Sequence, residues 1–227
     1  MKIYAVIPAA GSGLRAGTPV PKQFVKVYGK ETLAYTLEIF QKNRYIDGIA
    51  VAVHPDYLAL VRKIQKKYEL SKITAIVEGG KERQDSVNAA LASLSLNNND
   101  LVAVHDAARP LLPQEVLRAA VETAREKGSA LTAIKARDTL LKSSGGKHAY
   151  IGRSDVYYVQ TPQIFRYGDL KEAMRLAYEQ GFQGTDESSL MHNAGFPVHI
   201  VEGALINFKV TTKEDLRLFK KIVKPQL

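Results

Sequence analysis

Apolar and polar residues alternate with two different periods along the chain. Short apolar runs of the kind that form buried strands are separated by longer stretches whose apolar residues recur every three or four positions, as in an amphipathic helix. The predicted strands span residues 3–7, 48–53, 73–77, 101–104 and 130–134, and the predicted helices span residues 31–43, 56–70, 82–96 and 114–127. This regular alternation predicts an α/β fold with a doubly wound, mostly parallel sheet.

The alternation is interrupted between residues 137 and 165. Two short β-like pieces, 138–142 and 156–160, flank the polar turn Ser143-Ser144-Gly145-Gly146, and this pattern predicts a projecting β-hairpin arm. A two-stranded arm is marginally stable in water on its own, so we expect it to pack against a second subunit.

The C-terminal part returns to the earlier pattern. The predicted elements are helices at 168–180 and 185–193, strands at 198–202 and 207–210, and a last helix that begins at Thr212. Asp215, three residues after Thr212, completes a capping-box pattern. Because no repeat, low-complexity segment or linker divides the chain, we interpret residues 1–227 as one domain with residues 137–165 as its arm.

The loop after the first predicted strand carries the strongest binding signal. Its small residues Ala9, Ala10 and Gly11 leave backbone N–H groups open to close approach by an anion. Arg15 and Lys22 add two permanent positive charges to the same loop. Accessible amides and fixed cations together predict a polyphosphate site, and a mobile glycine turn is the alternative interpretation.

Two common phosphate-binding motifs do not fit this loop. The dinucleotide-binding fingerprint G-x-G-x-x-G, aligned on Gly11 and Gly13, would place its third glycine at position 16. The chain has its next glycine one residue later, at Gly17. A P-loop needs serine or threonine after its lysine, whereas Gln23 follows Lys22. The loop therefore predicts a phosphate site of a different kind.

Composition and charge narrow the function classes. The 227 residues include no cysteine, which excludes disulfides and thiolate metal sites. No signal pattern or membrane-length apolar stretch is present, so we expect a soluble cytoplasmic protein without a membrane partner. The net charge of +9 favours anionic partners, but the dispersed lysines lack a stacking aromatic platform, so we expect no nucleic-acid partner.

Charged residues follow other predicted strands. Asp106 directly follows the fourth strand and is a candidate ligand for Mg²⁺ shared with substrate phosphates, with a helix N-cap as the alternative. Arg109 is a candidate phosphate ligand or a partner in a surface ion pair. Segment 79–86 is a weak candidate for contacts to a base and ribose, and segment 185–187 is typical of a helix cap. Lys209, predicted inside a strand, is expected to be paired or functional.

The remaining chemistry favours positioning over covalent catalysis. The five histidines show no metal-ligand spacing, and the chain has no G-x-S-x-G nucleophile elbow. Fixed positive charges beside a single carboxylate instead suit attack on a phosphoryl centre, where catalysis rests on geometry and charge neutralisation.

Together these motifs resemble the 2-C-methyl-D-erythritol 4-phosphate cytidylyltransferase family over essentially the whole chain. The segments that carry the resemblance are residues 8–11, 21–23, 79–87, 105–110, 137–139, 153–154, 160–163, 185–187 and 207–211. Several motifs in the same order are far more specific than any one of them alone. The resemblance implies a Rossmann-like nucleotidyltransferase fold.

The resemblance also implies a reaction and its residues. CTP would donate a cytidylyl group to 2-C-methyl-D-erythritol 4-phosphate and release pyrophosphate, with Mg²⁺ held by Asp106. The implied catalytic residues are Arg15, Lys22 and Lys209. The implied substrate-binding residues are Ala9, Ala10, Gly11, Gly80, Arg83 and Ser86 for CTP, and Ala107, Arg109, Thr139, Arg153, Thr161 and Thr185 for the alditol phosphate. A homodimer is implied, in which Thr139 and Arg153 complete the acceptor site of the neighbouring subunit.

Two positions depart from the family pattern. Lys81 stands where many relatives place an acidic or small residue, and residues 203–206 offer no second metal-binding aspartate, so we expect one carboxylate at the metal site. The nearest alternative is an alditol-phosphate cytidylyltransferase that acts on ribitol 5-phosphate. A more remote alternative is a non-catalytic module that binds nucleic acid through the basic surface.

Overall fold

The structure is a computed structural model that describes residues 1–11 and 20–225. Within these ranges the strands are β1 (Ile3–Ala9), β2 (Lys26–Val27), β3 (Lys30–Glu31), β4 (Gly48–Val53), β5 (Ile73–Glu78), β6 (Leu101–Val104), β7 (Ser129–Lys135), β8 (Leu140–Ser144), β9 (Lys147–Ile151), β10 (Tyr157–Arg166) and β11 (Ile200–Glu202). The α-helices are α1 (Thr32–Lys42), α2 (Leu58–Lys67), α3 (Arg83–Ala92), α4 (Gln114–Lys127), α5 (Tyr167–Glu179), α6 (Glu187–Asn193) and α7 (Lys213–Ile222). The predicted site residue Arg15 lies outside the described residues.

The central sheet has the strand order β11-β7-β10-β6-β1-β4-β5. Strand β10 runs antiparallel to its two neighbours, and the other strands are parallel to one another. The predicted doubly wound, mostly parallel sheet is confirmed. The chain leaves β1 for β4 on one side, while β6 pairs with β1 on the other side. Such a reversal of strand order opens a crevice beyond the carboxyl ends of the strands.

Helices cover both faces of this sheet. On one face, α1, α2 and α4 pack their apolar sides on alternate strand residues such as Ala5, Ile7 and Val51. On the other face, α3, α5 and α6 pack on the intervening residues such as Val6 and Ala50. Because both faces are buried, the parallel strands read as continuous apolar runs, which made them recognisable from sequence. The predicted bounds of the helix at 114–127 are confirmed.

The prediction for residues 156–160 is wrong, because they do not belong to the arm. Residues 157–160 begin β10, whose ten residues lie in the central sheet between β7 and β6. The hairpin is instead β8 paired with β9, in a register that joins Leu140 to Ile151. Pro162 weakens the sequence pattern of a central strand, because proline lacks the N–H that a ladder needs. The structure accommodates Pro162 at a register shift in the pairing with β7, between Val159 and Gln163.

The predicted strand at 207–210 is also wrong. These residues form an irregular segment beside the loop that follows β6, and the N–H of Val210 donates to the carbonyl of Ala108 over 2.8 Å. The capping box at the start of α7 is confirmed: the Thr212 hydroxyl accepts from the N–H of Asp215, whose carboxylate accepts from the N–H of Thr212. Across residues 1–11 and 20–225, no helix combines the length and the apolar character needed to span a bilayer.

Candidate active site

Two adjoining cavities open at the carboxyl edge of the sheet. The larger has a volume of about 650 Å³ and is lined by residues that follow β1, β4, β5 and β6. The smaller has a volume of about 220 Å³ and lies between the end of β6, the middle of β10 and the segment before α6. Arg83, Asp106 and Lys209 line both cavities. These three side chains therefore form the junction at which two bound ligands would meet.

The loop after β1 forms one wall of the larger cavity. Pro8, Ala9, Ala10 and Gly11 line it, and Lys22 contributes from the other end of the predicted phosphate loop. The side chain of Gln23 holds the two ends together, because its amide donates to the carbonyl of Ala9 over 2.7 Å and to that of Gly11 over 2.8 Å. These two bonds hold Ala9 and Gly11 against Gln23 beside the cavity.

Two glycines bring a second loop close to the first. A Cβ atom at Gly79 would lie 2.4 Å from the Cβ of Ala10, and one at Gly80 would lie 2.2 Å from the Cβ of Asp85. Real side chains do not approach so closely, so Gly79 is needed where the loop after β5 meets the loop after β1, and Gly80 is needed where it turns against the start of α3. Ser86 also lines the larger cavity, while its hydroxyl donates to the carbonyl of Glu82, the residue before α3.

Asp106 is the centre of an ion cluster. Its Oδ1 lies 3.3 Å from Nε of Arg83, and its Oδ2 lies 3.0 Å from Nζ of Lys209 and 3.3 Å from Nε of Arg109. The aspartate is only 7 % exposed. The predicted alternative role of Asp106 as a helix N-cap is wrong, since α4 begins at Gln114 with Pro113 in the capping position.

The positive charges around Asp106 determine the pKa of its carboxyl group. Burial on its own would raise the pKa of Asp106, but Lys209, Arg83 and Arg109 together hold that pKa far below its usual range. For Arg109, burial is the largest influence and lowers the pKa, and the negative charge of Asp106 opposes that shift. Asp106 is therefore a carboxylate at any physiological pH, and it carries the charge needed to hold a cation.

Arg83 is held on its other side by Glu187. Nη1 and Nη2 of Arg83 donate to the two carboxylate oxygens of Glu187 over 2.7 and 2.9 Å. This two-point arrangement is the strong, geometrically specific form of an arginine–carboxylate pair. Burial on its own would lower the pKa of Arg83, but the carboxylates of Glu187 and Asp106 raise it by more. The pKa is therefore above its usual value, and the guanidinium stays charged.

A hydrogen-bonded chain supports the backbone at Asp106. Nε2 of His105 lies 3.1 Å from the carbonyl of Arg109, which can only accept, so Nε2 carries the proton. Nδ1 then accepts from the hydroxyl of Thr161, whose oxygen accepts in turn from the N–H of Asp106. Complete burial lowers the pKa of His105 to about 4, which keeps the ring neutral in this role.

The segment around Asn207 connects Arg109 to β10. The carbonyl of Asn207 accepts from Nη1 of Arg109 over 2.7 Å. The side-chain amide of Asn207 donates to the carboxamide of Gln160 and to the carbonyl of Thr161. Lys209 reaches Asp106 from the same segment, so the expectation that Lys209 is paired is confirmed.

The predicted site residues fall into three groups. Those that line the cavities are Ala9, Ala10, Gly11, Lys22, Gly80, Arg83, Ser86, Asp106, Ala107, Arg109, Thr161, Thr185 and Lys209. Thr139 and Arg153 are exposed and line neither cavity of their own chain, and Nη1 of Arg153 donates to the carbonyl of Arg137. The third group is Arg15, outside the described residues.

Sequence reasoning overlooked Glu187 and His105 as individual site residues. Glu187 carried a usable signal, because it precedes Leu190 and Met191 by three and four positions and so lies on the apolar side of a short helix. A carboxylate on such a side needs a buried partner. His105 carried no comparable signal, since its partner Thr161 is 56 positions away.

Comparisons with known proteins agree with the geometry. The family model described as "IspD: 2-C-methyl-D-erythritol 4-phosphate cytidylyltransferase" matches residues 3–225. A protein of that name from Lysinibacillus sphaericus is 37% identical over 225 residues, covering 99% of this chain and 96% of the relative. The crystal structure of 2-C-methyl-D-erythritol 4-phosphate cytidylyltransferase from Thermus thermophilus is similar with a TM-score of 0.80 and 31% identity, over 99% of this chain and 100% of that chain.

A further crystal structure, that of 4-diphosphocytidyl-2C-methyl-D-erythritol synthase from Anaerococcus prevotii, is similar with a TM-score of 0.85 and 28% identity over 99% of both chains. The match therefore extends through the whole fold and is not confined to the phosphate loop. With a matching family model over residues 3–225 and full-length relatives above 30% identity, this chain belongs to the 2-C-methyl-D-erythritol 4-phosphate cytidylyltransferase family.

Proposed function

We propose that the larger cavity binds CTP, that the smaller cavity binds 2-C-methyl-D-erythritol 4-phosphate, and that the cytidylyl group is transferred between them with release of pyrophosphate. The chain's membership of a cytidylyltransferase family supports the reaction type. The observation that carries the assignment of the two cavities is their shared junction at Arg83, Asp106 and Lys209. A phosphoryl centre placed there would be within reach of an acceptor from the smaller cavity.

The walls of the larger cavity suit a nucleoside triphosphate. Small residues of the loop after β1 leave room for close approach of phosphates to the backbone, and Lys22 and Arg15 supply positive charge in that loop. On the opposite side, Gly80 and Ser86 offer polar backbone and hydroxyl groups where a base and ribose would lie. In this proposal Ala9, Ala10, Gly11, Gly80, Arg83 and Ser86 bind CTP.

The smaller cavity suits a polyol phosphate. Arg109 and Lys209 provide cations for the phosphate, and Thr185 provides a hydroxyl that can hydrogen-bond to the polyol. Ala107 belongs to the loop between the two cavities. Thr161 lines this cavity too, and because its hydroxyl is already bonded to His105 and Asp106, we assign it the support of that loop.

The donor groups at the junction fit a Mg²⁺ ion held mostly by substrate. Asp106 is an ionised carboxylate that lines both cavities. In the described part of the chain, no cluster of three or more acidic, histidine or cysteine side chains is arranged to hold a metal. Mg²⁺ commonly takes one or two carboxylates and completes its shell with phosphate oxygens and waters. Bound there, it would neutralise charge on the triphosphate.

The residues act by positioning and by charge neutralisation. The acceptor phosphate is already ionised at neutral pH, so an oxygen of it attacks the α-phosphorus of CTP without a general base, and pyrophosphate leaves from the opposite side. Two anions must meet for this to happen. Lys22 and Lys209 offset their repulsion, and the fixed junction supplies proximity and alignment.

The surface of the arm suggests that two copies of the chain associate. Among the residues that the structure describes, strands β8 and β9 pair only with each other, and Leu141 and Tyr150 leave large apolar surfaces exposed on them. A second copy of the chain would cover these surfaces, and Thr139 and Arg153 would then reach the acceptor cavity of the partner. We propose a homodimer through the arm, in the cytoplasm.

A pyrophosphate-release assay tests the function. With CTP and Mg²⁺, we expect turnover of 2-C-methyl-D-erythritol 4-phosphate much faster than of ribitol 5-phosphate. Lys22→Ala should abolish most of this turnover, while Lys26→Ala, at an exposed lysine four residues away, should preserve it. Preference for ribitol 5-phosphate would favour the alternative alditol-phosphate enzyme. Absence of turnover with steeply salt-dependent binding of nucleic acid would favour a binding module.

A further inference from the structure

Arg83 occupies the junction between the cavities in a fully defined orientation. Its Nε faces Asp106, and its two terminal nitrogens face Glu187. Three of its five N–H donors are used in these bonds to described residues, and the remaining two lie on the terminal nitrogens. Because Arg83 lines both cavities, its orientation determines what each bound ligand meets at the point of reaction.

Glu187 is placed to control that orientation without contacting a ligand. It is 0% exposed and lines neither cavity. Its helix α6 is fixed at the start, because Asp186 accepts from the N–H of Ser189 and also from the amide of Gln163 on β10. Glu187 therefore presents its carboxylate to Arg83 from a rigid support.

Stability alone is a weak reason for this pair. Burying a carboxylate and a guanidinium costs the hydration of both ions, and well-packed apolar residues often stabilise a fold as much as such a pair does. The pair instead provides two things that apolar residues cannot. It fixes a charged fork in one geometry, and it supplies Arg83 with a negative charge other than that of Asp106.

We propose that Glu187 is a positioning residue for the transfer reaction, which acts through Arg83 and not on the substrates. Without Glu187, Asp106 would be the one carboxylate left beside Arg83 among the described residues. Arg83 would then turn both terminal nitrogens toward Asp106. Asp106 would then be less available to Lys209 and to a metal-bound triphosphate. The proposal rests on the function assigned above to the two cavities.

A double-mutant cycle tests the proposal. The four proteins are the wild type, Glu187→Gln, Arg83→Gln and the double variant, and the measurements are kcat/KM for each substrate and the Kd for CTP with Mg²⁺. We expect Glu187→Gln to lower kcat/KM by up to about 100-fold, the scale on which misplaced site groups act. In the Arg83→Gln background the same substitution should change kcat/KM by less than about twofold, because its target is gone. An equal loss in both backgrounds, or no loss in a folded Glu187→Gln protein, overturns the proposal.

The matched control is Glu172→Gln. Glu172 also pairs with an arginine through both carboxylate oxygens, but the pair with Arg175 is exposed on α5. This substitution should leave kcat/KM unchanged. If Glu187→Gln fails to fold, the comparison of Arg83→Gln with the double variant decides the matter. Burial raises the pKa of Glu187, which can take up a proton once Arg83 is replaced, and the double variant carries neither charge. Equal kcat/KM in those two proteins supports the proposal, and a further loss in the double variant overturns it.

A structural measurement separates this proposal from the function itself. In a crystal structure of Glu187→Gln we expect the Arg83 guanidinium to rotate, with a terminal nitrogen replacing Nε against Asp106. An Arg83 that keeps its wild-type position overturns the positioning role whether or not the enzyme turns over. An inactive wild-type protein would instead overturn the proposed function and leave this structural result to be judged separately.

Discussion

Strand β6 has a buried aspartate at each end, and the two are surrounded by different kinds of donor. Asp100, before the strand, is 3% exposed and accepts from the backbone N–H groups of Lys2 and Asn97 over 2.8 and 2.9 Å. Asp106, after the strand, faces the side chains of Arg83, Arg109 and Lys209. Both aspartates have a pKa below the usual value despite burial, which on its own would raise it.

The difference separates a structural edge of the sheet from a functional one. Backbone amides cannot leave Asp100 without opening the loops that they belong to, so that carboxylate is committed to the fold. Long cationic side chains can exchange Asp106 for a phosphate while the backbone stays in place. A buried carboxylate with side-chain cations and a cavity beside it is therefore a candidate for chemistry, and one with backbone donors is a candidate for stability.

The largest expected effect comes from exchanging charge at the two ends of β6. Asp106→Asn should lower kcat/KM with CTP and 2-C-methyl-D-erythritol 4-phosphate roughly 1000-fold, because the proposed Mg²⁺ would lose its protein carboxylate. Asp100→Asn should instead lower the free energy of unfolding by about 1–3 kcal/mol and leave kcat/KM of the folded protein near the wild-type value. Pyrophosphate release and urea unfolding measure the two effects. Equal kinetic losses in both variants would contradict the division into two edges.

The second prediction tests whether one subunit alone contains every residue that the site at the carboxyl edge of the sheet needs. Tyr150 is 80% exposed on β9. If the arm forms a dimer, Tyr150→Asp should convert dimer to monomer in sedimentation experiments and lower kcat/KM roughly 100-fold, because the partner's Thr139 and Arg153 would leave the acceptor cavity. Tyr28→Asp, at an exposed tyrosine outside the arm, is the control and should change neither quantity. A fully active monomer would show that each chain has a complete site.

The positions of the loops around the site could be predicted from the sequence, because they depend on short-range patterns. Strands β1, β4 and β6 are buried on both faces, so their apolar runs identify them, and parallel strands place the following loops at one edge. The loop containing Ala10 and the loop containing Asp106 therefore lie at the same edge, and they line one cavity.

The contacts within the site could not be predicted in the same way. Arg83 and Glu187 are 104 positions apart, and nothing in local periodicity joins them. Strand β10 was misassigned for a related reason: its polar residues and Pro162 weaken the strand pattern, and it is stabilised by pairing with β6 and β7. Tertiary pairing outweighed local preference there, as it does for many strands.

The third prediction concerns His105, which lies between β6 and Asp106. Its pKa is lowered by burial to about 4 from 6.5, so the unfolded chain binds a proton between these values while the folded chain does not. Stability should therefore fall as the pH decreases from about 6.5 to 4, by about 3 kcal/mol from this group. Urea unfolding of wild type and His105→Gln at pH 7 and pH 4.5 measures it. The variant should lose less stability between the two pH values, and an equal loss would contradict a neutral, buried His105.

The smallest expected effect is at the structural edge, where α4 ends and β7 begins. Gly128 has φ +84°, a conformation that residues with a Cβ adopt only with strain, and an added Cβ would lie 3.3 Å from the guanidinium of Arg166. Gly128→Ala should therefore lower the free energy of unfolding by about 1–2 kcal/mol. Gly152→Ala is the control, because Gly152 has φ −61° and open space around its Cα, so its effect should stay within about 0.5 kcal/mol. Thermal unfolding gives both values. In the folded Gly128→Ala protein, kcat/KM should equal that of the wild type, because Gly128 lies at the opposite end of β7 from the cavities. A lower kcat/KM in this variant would show that the two edges of the sheet are coupled.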